Sequence, residues 1–211
     1  MLYRADPWFH VIAGCMSSGK TDELLRLLRR AEIAGRRVIL VRPTIDDRTE
    51  AGSVESRSGV AYRARAVASS SDIPPIVTAG RASVVAIDEA QFFDDGLPDV
   101  AELLAAEGRA VLVSGLDRDF LGRPFASMPT LLTLADQVTK LTAICTVCGA
   151  DATRTQRLVG GRPAAADDPL IVVGGVNDDR YEARCRAHHV VGAPRGLMAP
   201  PIWDRVTDLG A

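Results

Sequence analysis

The feature that most constrains this chain is an apolar run, Trp8-Phe9-His10-Val11-Ile12-Ala13, that passes directly into Gly14-x-x-x-x-Gly19-Lys20-Thr21. The run reads as a buried strand. From Asp22 to Ala34, apolar Leu24, Leu25, Leu27, Leu28 and Ala31 recur at helical spacing, with Arg26, Arg29 and Arg30 between them. Gly35 is placed to cap that helix, and Arg37 to Val41 reads as a second strand ended by Pro43. A strand–loop–helix–strand unit of this kind builds parallel sheets with helices on their faces.

The loop itself carries chemistry. Glycines let backbone N–H groups converge on phosphate oxygens, and the helix N-terminus adds favourable partial charge. Gly14, Cys15, Met16, Ser17, Ser18, Gly19, Lys20 and Thr21 match the nucleoside-triphosphate pattern in full. Lys20 would reach the β- and γ-phosphates of ATP, and Thr21 would hold Mg²⁺. Only Lys20 and Lys140 are lysines among 25 basic residues, so a lysine at this position stands out. A second apolar strand, Ser83 to Ile87, ends in Asp88-Glu89-Ala90-Gln91, which completes the expected ATP site. Asp88 sits where a metal-linked carboxylate belongs, and Glu89 is a natural general base. Water or a substrate hydroxyl could be the nucleophile, so these residues alone do not separate an ATPase from a kinase.

The chain is read as α/β: a P-loop (RecA-like) parallel sheet flanked by helices, followed by a small C-terminal zinc-binding domain. Residues 46–59 read as a polar loop, Val60 to Val67 as a short strand, and Pro74-Pro75 as a break. Leu97 to Glu107 reads as a helix, Ala110 to Val113 as a buried strand, and Ser114 to Pro129 as a long loop. Thr130 to Ala135 is expected to be a short helix and Gln137 to Ala143 a strand. The character changes at Cys145. We expect a nucleotide-binding domain over 1–143, a zinc-binding domain over 144–191 and a flexible tail over 192–211.

Cys145-x-x-Cys148 and Cys185-x-x-His188, with 36 residues between the pairs, supply the four ligands of a closed structural zinc site. His189 competes with His188 for the fourth position, and matching spacing favours His188. A redox role for Cys145 and Cys148 is the alternative. Cys15 has no partner nearby and reads as a small residue of the phosphate loop.

Charge and length narrow the partners. The net charge is −2, and no stretch interleaves basic and aromatic residues, so nucleic acid is not expected. No apolar run approaches the roughly 20 residues of a membrane span. Met1 to Pro7 lacks a signal peptide's apolar core, so the expected location is cytoplasmic. Two other readings compete with a kinase. A nucleic-acid-dependent ATPase would need a second motor lobe, for which 211 residues leave no room. A zinc-stapled binding module would not need Asp88-Glu89 after a buried strand.

The motifs, in this order, resemble the zinc-containing, tetrameric type of thymidine kinase over roughly residues 8 to 190. The resemblance is carried by Gly14 to Thr21, Ile45-Asp46-Asp47-Arg48 and Asp88-Glu89-Ala90-Gln91-Phe92-Phe93. It continues through Gly115-Leu116-Asp117-Arg118-Asp119-Phe120-x-Gly122-x-Pro124-Phe125, Cys145-x-x-Cys148-Gly149-x-x-Ala152-x-x-Thr155 and Tyr181-x-x-x-Cys185-Arg186-x-His188-His189. Ser17 stands where the family commonly has Phe.

The resemblance implies ATP-dependent phosphorylation of the 5′-hydroxyl of thymidine and deoxyuridine. Glu89 would be the base, Arg48 would assist transition-state charge, and Asp46 would join Thr21 and Asp88 near Mg²⁺. Met16, Leu116, Phe120 and Thr155 would line the thymine pocket, with Phe120 stacking on the base. Leu170, Ile171, Val172, Val173 and Gly174 would contact the base through backbone groups, and Tyr181 would meet the sugar. A lasso over roughly Gln156 to Arg180 would cover the nucleoside. The resemblance further implies a homotetramer and feedback inhibition by thymidine triphosphate (dTTP).

Overall fold

The computed structural model describes residues 8–44, 53–55, 61–171 and 179–194. Along the first part of the chain lie β1 (Trp8–Gly14), α1 (Lys20–Ile33), β2 (Val38–Pro43), β3 (Ser53–Glu55), β4 (Ala61–Arg63) and β5 (Arg65–Val67). Then follow α2 (Ile73–Ala79), β6 (Val84–Ile87), α3 (Leu97–Ala106), β7 (Ala110–Gly115), α4 (Met128–Leu134) and β8 (Gln137–Leu141). Six strands form one sheet in the order β5-β2-β6-β7-β1-β8, with every neighbouring pair parallel. This is the expected α/β sheet.

Parallel strands covered on both faces read as continuous apolar runs, because neither face meets water. Strand β1 shows how the pleat divides the load. Phe9, Val11 and Ala13 face α2, α3 and α4, and Ile12 faces the other layer, where Leu24, Leu25, Leu27 and Leu28 of α1 are buried. Full burial of each such leucine contributes about 1.5–3 kcal/mol, so α1 is fixed by its apolar stripe.

The connections set the position of the site. From β1 the chain crosses by α1 to β2 on one side, whereas from β7 it crosses by α4 to β8 on the other. Ligands bind α/β sheets outside the carboxyl ends of strands where such connections diverge. The carboxyl ends of β1, β6 and β7 carry the phosphate loop, Asp88-Glu89 and Leu116.

Beyond β8, β9 (Ala143–Ile144) pairs with β10 (Asp151–Ala152). Strand β11 (Arg154–Val159) lies between β12 (Arg162–Pro163) and β13 (Arg180–Arg184), antiparallel to both. Ala143, Cys145, Ala152 and Ala183 form a small cluster with Cys15 of the phosphate loop.

Several expectations change. Pro74-Pro75 does not break the chain but opens α2, since the first helical turn has no N–H partner to lose. A capping box on Ser69 precedes it, and Asp94 accepts from Ser69 Oγ, Ser70 N and Ser70 Oγ. The strand expected over Val60 to Val67 is two strands, β4 in a hairpin with β3 and β5 on the main sheet. The expected lasso starts too early: Gln156 to Val159 belong to β11, and Arg180 to β13. Gly192, expected to begin a flexible tail, bonds Ala164 and Ala166 through its backbone. Asp46, Arg48, Val172, Val173, Gly174 and residues 195–211 lie outside the described residues. No helix among the described residues is long and apolar enough to cross a membrane.

Candidate active site

The phosphate loop turns tightly at its first glycine. A Cβ on Gly14 would stand 2.6 Å from the Leu141 carbonyl oxygen, so only glycine fits beside β8. Gly19 takes φ +84° at the entry to α1, the left-handed region glycine reaches without strain. Ser17 also has positive φ and is exposed, which accounts for a small polar residue there. Cys15 is buried, and its thiol donates to the Ala152 carbonyl at 3.3 Å. It is a packing residue of the loop, as expected.

Lys20 is buried, and its Nζ donates to the Cys15 carbonyl across the loop at 2.9 Å. Desolvation lowers its pKa, while Glu89 and Asp88 oppose that shift. Thr21 Oγ1 donates to Asp88 Oδ2 at 3.4 Å, so a hydroxyl and a carboxylate from β1–α1 and β6 converge. These are hard oxygen donors, a set that suits Mg²⁺.

Asp88 is 4% exposed, and its pKa is pushed up to about 6, first by burial and then by the adjacent Glu89 charge. Glu89 adopts φ 52°, ψ 43°, a left-handed conformation that non-glycine residues rarely take. Strain of this kind concentrates at functional sites, because the surrounding structure must hold it. Gln91 does part of the holding. Its Nε2 donates to Glu89 Oε2 at 2.5 Å, and its Oε1 accepts from the Leu116 N–H at 2.8 Å. The amide therefore joins the candidate base to the segment after β7, a link that spacing alone did not reveal.

That segment is a compact loop. The Asp119 N–H donates to the Arg123 carbonyl, Asp119 Oδ1 accepts from the Arg123 N–H, and the Phe125 N–H reaches the Asp117 carbonyl. It carries Leu116 and Phe120, 8% and 5% exposed. The second lysine acts here: Lys140 Nζ lies 2.8 Å from buried Asp117 Oδ2, tying β8 to the same loop.

Strand β11 brings the C-terminal sheet to the loops. The Met16 N–H donates to Thr155 Oγ1 at 3.0 Å. Two residues on, hence on the same face of the strand, the Arg157 guanidinium lies over the Phe120 ring, 5.4 Å from its centroid. Tyr181 stands opposite Arg157 in the ladder. Leu170 and Ile171 are 47% and 41% exposed and follow Pro169, whose carbonyl accepts from Arg157. Met16 and Thr155 are thus bonded to each other, Phe120 lies against Arg157, whose ladder partner is Tyr181, and Leu116 is held by Gln91. Arg157, Gln91 and His189 join them, and no sequence signal marked those roles.

The metal cluster forms as spaced. The ligand atoms of Cys145, Cys148, Cys185 and His188 all lie within 4.8 Å of one another. Cys148 and Cys185 sulfurs are 3.8 Å apart, and His188 Nδ1 is 3.2 Å from the Cys185 sulfur. Tetrahedral zinc with bonds of about 2.3 Å holds sulfurs about 3.8 Å apart, so three thiolates and an imidazole fit that ion. The four cysteines are free, so no disulfide claims these ligands. His189 turns away, and its Nε2 lies 2.8 Å from the Phe120 carbonyl oxygen. The two neighbouring histidines therefore divide, one to the metal cluster and one to the Phe120 loop.

The family model described as thymidine kinase matches residues 7–189. The chain is 53% identical over 186 residues to a thymidine kinase of Coprothermobacter proteolyticus, covering 88% of this chain and 92% of that protein. Among solved structures it is similar to the flagellar accessory protein FlaH from Methanocaldococcus jannaschii (TM-score 0.47, 12% identity, 69% of this chain and 75% of that one). It is also similar to the Legionella pneumophila ATPase DotB (TM-score 0.43, 13% identity, 71% of this chain and 44% of that one).

Proposed function

This chain belongs to the thymidine kinase family, and from that membership we infer how its residues divide the work of phosphorylating thymidine with ATP. The observation that carries the division is the run of bonds from Thr21 through Asp88, Glu89 and Gln91 to Leu116, beside a separate bond between Met16 and Thr155. Thr21, Asp88 and Glu89 stand on the phosphate side, Gln91 bridges Glu89 to Leu116, and Thr155 bonds Met16 on the nucleoside side.

In this reading Gly14 to Lys20 cradle the ATP phosphates with backbone N–H groups, and Lys20 supplies charge toward the β- and γ-phosphates. Thr21 and Asp88 would hold Mg²⁺, which screens phosphate charge when bound. Asp46 and Arg48 belong to the same proposal, as a metal-side carboxylate and a transition-state cation. Glu89 accepts the proton of the 5′-hydroxyl as that oxygen attacks the γ-phosphorus, the bond to the β,γ-bridging oxygen breaks and ADP leaves. Gln91 fixes the carboxylate, so little reorganisation is needed when the nucleoside arrives.

Phe120 stacks on the base, with Met16, Leu116 and Thr155 around it. Backbone groups of residues 170–174 read the base edge, and Tyr181 meets the sugar. Deoxyuridine, which lacks only the 5-methyl group, is accepted by the same contacts. The cluster of Cys145, Cys148, Cys185 and His188 holds a structural zinc that fixes residues 144–191. The proposal extends to assembly as a homotetramer, a cytoplasmic location and inhibition by dTTP.

The test is ADP formation from ATP with thymidine or with single-stranded DNA added. Stimulation by thymidine supports the reading; stimulation by DNA alone overturns it.

A further inference from the structure

Arg157 is 4% exposed, and its guanidinium has three engagements. Nη1 donates to the Pro169 carbonyl at 2.6 Å, and Nη2 pairs with Asp179 Oδ2 at 2.9 Å. The plane lies over Phe120 at 5.4 Å, inside the range of about 6 Å for a cation–π contact. The Arg157 and Asp179 side chains are only 5% and 7% exposed, so the pair is desolvated. Taking two charges out of water is costly. An apolar pair would fill the same space without that cost, so the pair is better explained by the geometry it imposes.

That geometry is specific. Pro169 and Asp179 precede and follow residues 170–178, and one planar fork grips both. The same fork covers one face of Phe120, so a base stacked on Phe120 must take the other. His189 Nε2 holds the Phe120 carbonyl, while Arg157 lies against the ring itself.

We propose that Arg157, paired with Asp179, is a positioning residue for nucleoside recognition: it orients the Phe120 ring and registers it against Pro169 and Asp179. The proposal rests on Phe120 being the base-stacking residue. Arg157 engages Pro169, Asp179 and Phe120 and not Lys20, Thr21 or Glu89, so its signature is a rise in thymidine KM with little change in kcat or ATP KM. Lysine does not replace it, because one ammonium cannot present the planar fork.

The experiment is a double-mutant cycle on the full chain, reading thymidine KM, ATP KM, kcat and bound zinc. Arg157→Met is expected to raise thymidine KM about tenfold, with Arg157→Lys in between and ATP KM and zinc unchanged. In a Phe120→Leu background, the effect of Arg157→Met falls below about threefold, because the residue it acts through is gone. Asp179→Asn, which leaves both Arg157 and Phe120 in place, raises thymidine KM in the same direction. It carries the cycle if Arg157→Met does not fold. An equal effect of Arg157→Met in both backgrounds, or equal effects on both substrates, overturns the proposal. If Phe120→Leu raises thymidine KM and the Arg157 and Asp179 variants do not, only the Arg157 role fails. If Phe120→Leu itself leaves thymidine KM unchanged, the base-stacking reading fails and this proposal with it.

Discussion

The Met16 N–H donates to the Thr155 hydroxyl at 3.0 Å, joining residues 139 positions apart. The phosphate loop and the strand that carries Arg157 are thereby locked in register. A shift of the C-terminal sheet would move the candidate thymine pocket relative to the transferring phosphate, and this bond opposes it.

Thr155→Val keeps the shape and removes the acceptor, leaving the Met16 N–H unpaired. An unsatisfied buried donor costs about 1–3 kcal/mol. Thymidine kcat/KM is expected to fall roughly 5- to 150-fold on that scale, while Thr155→Ser stays within about threefold of wild type. Steady-state kinetics on the two variants check this. Equal losses in Val and Ser would show that the methyl group, not the hydroxyl, carries the role.

The neighbouring histidines separate cleanly. His188→Ala removes an imidazole from the Cys145, Cys148 and Cys185 cluster, and metal analysis is expected to find bound zinc lost and thermal stability lowered. His189→Ala leaves the zinc content at one per chain and raises thymidine KM, because the Phe120 carbonyl loses its partner. Zinc loss in His189→Ala, or its retention in His188→Ala, reverses the assignment.

Asp88 supplies a pH prediction. Burial and the Glu89 charge raise its folded pKa to about 6, above the ordinary carboxylate value. The folded state therefore binds a proton that the unfolded state has released between about pH 4 and pH 6, and this group's contribution to stability falls as pH rises through that window. Relative to Asp88→Asn, wild-type protein is expected to lose stability between pH 4 and pH 7. Urea unfolding at several pH values measures the difference. A gap that widens in the wild type's favour as pH rises would contradict the assignment. The same variant is expected to lose activity, as a site that keeps a carboxylate at a cost in stability would require.

Much of this was legible because local pattern and fold agreed. β1, the loop and α1 combine an apolar run, a glycine turn and a helical stripe, each demanding the same unit. The cluster of Cys145, Cys148, Cys185 and His188 was legible for the same reason, since spacing within each pair is itself the geometry. Spacing also favoured His188 over His189, but the place of His189 needed the structure, because its partner is a backbone carbonyl 69 residues away.

Other features were hidden by tertiary context. Pro74-Pro75 read as a break because proline ends helices more often than it opens them, and the signal for opening sits on Ser69 and distant Asp94. Gln91 read as part of the ATP motif, yet its amide points to Glu89 and Leu116. Arg157 fell inside the expected lasso, and no motif marked it. Its partners lie at Phe120, Pro169 and Asp179, and no periodicity connects them.

The central claim is that Glu89, held by Gln91, takes the proton of a thymidine hydroxyl as phosphate transfers. Incubation with γ-labelled ATP and thymidine, with the product identified by chromatography and phosphorus NMR, tests it most directly. Wild-type protein is expected to place the label on the 5′-oxygen of thymidine. Glu89→Gln is expected to lower kcat by roughly 10²- to 10⁴-fold with thymidine KM little changed. Label released as inorganic phosphate in both proteins, or undiminished transfer in Glu89→Gln, would contradict it.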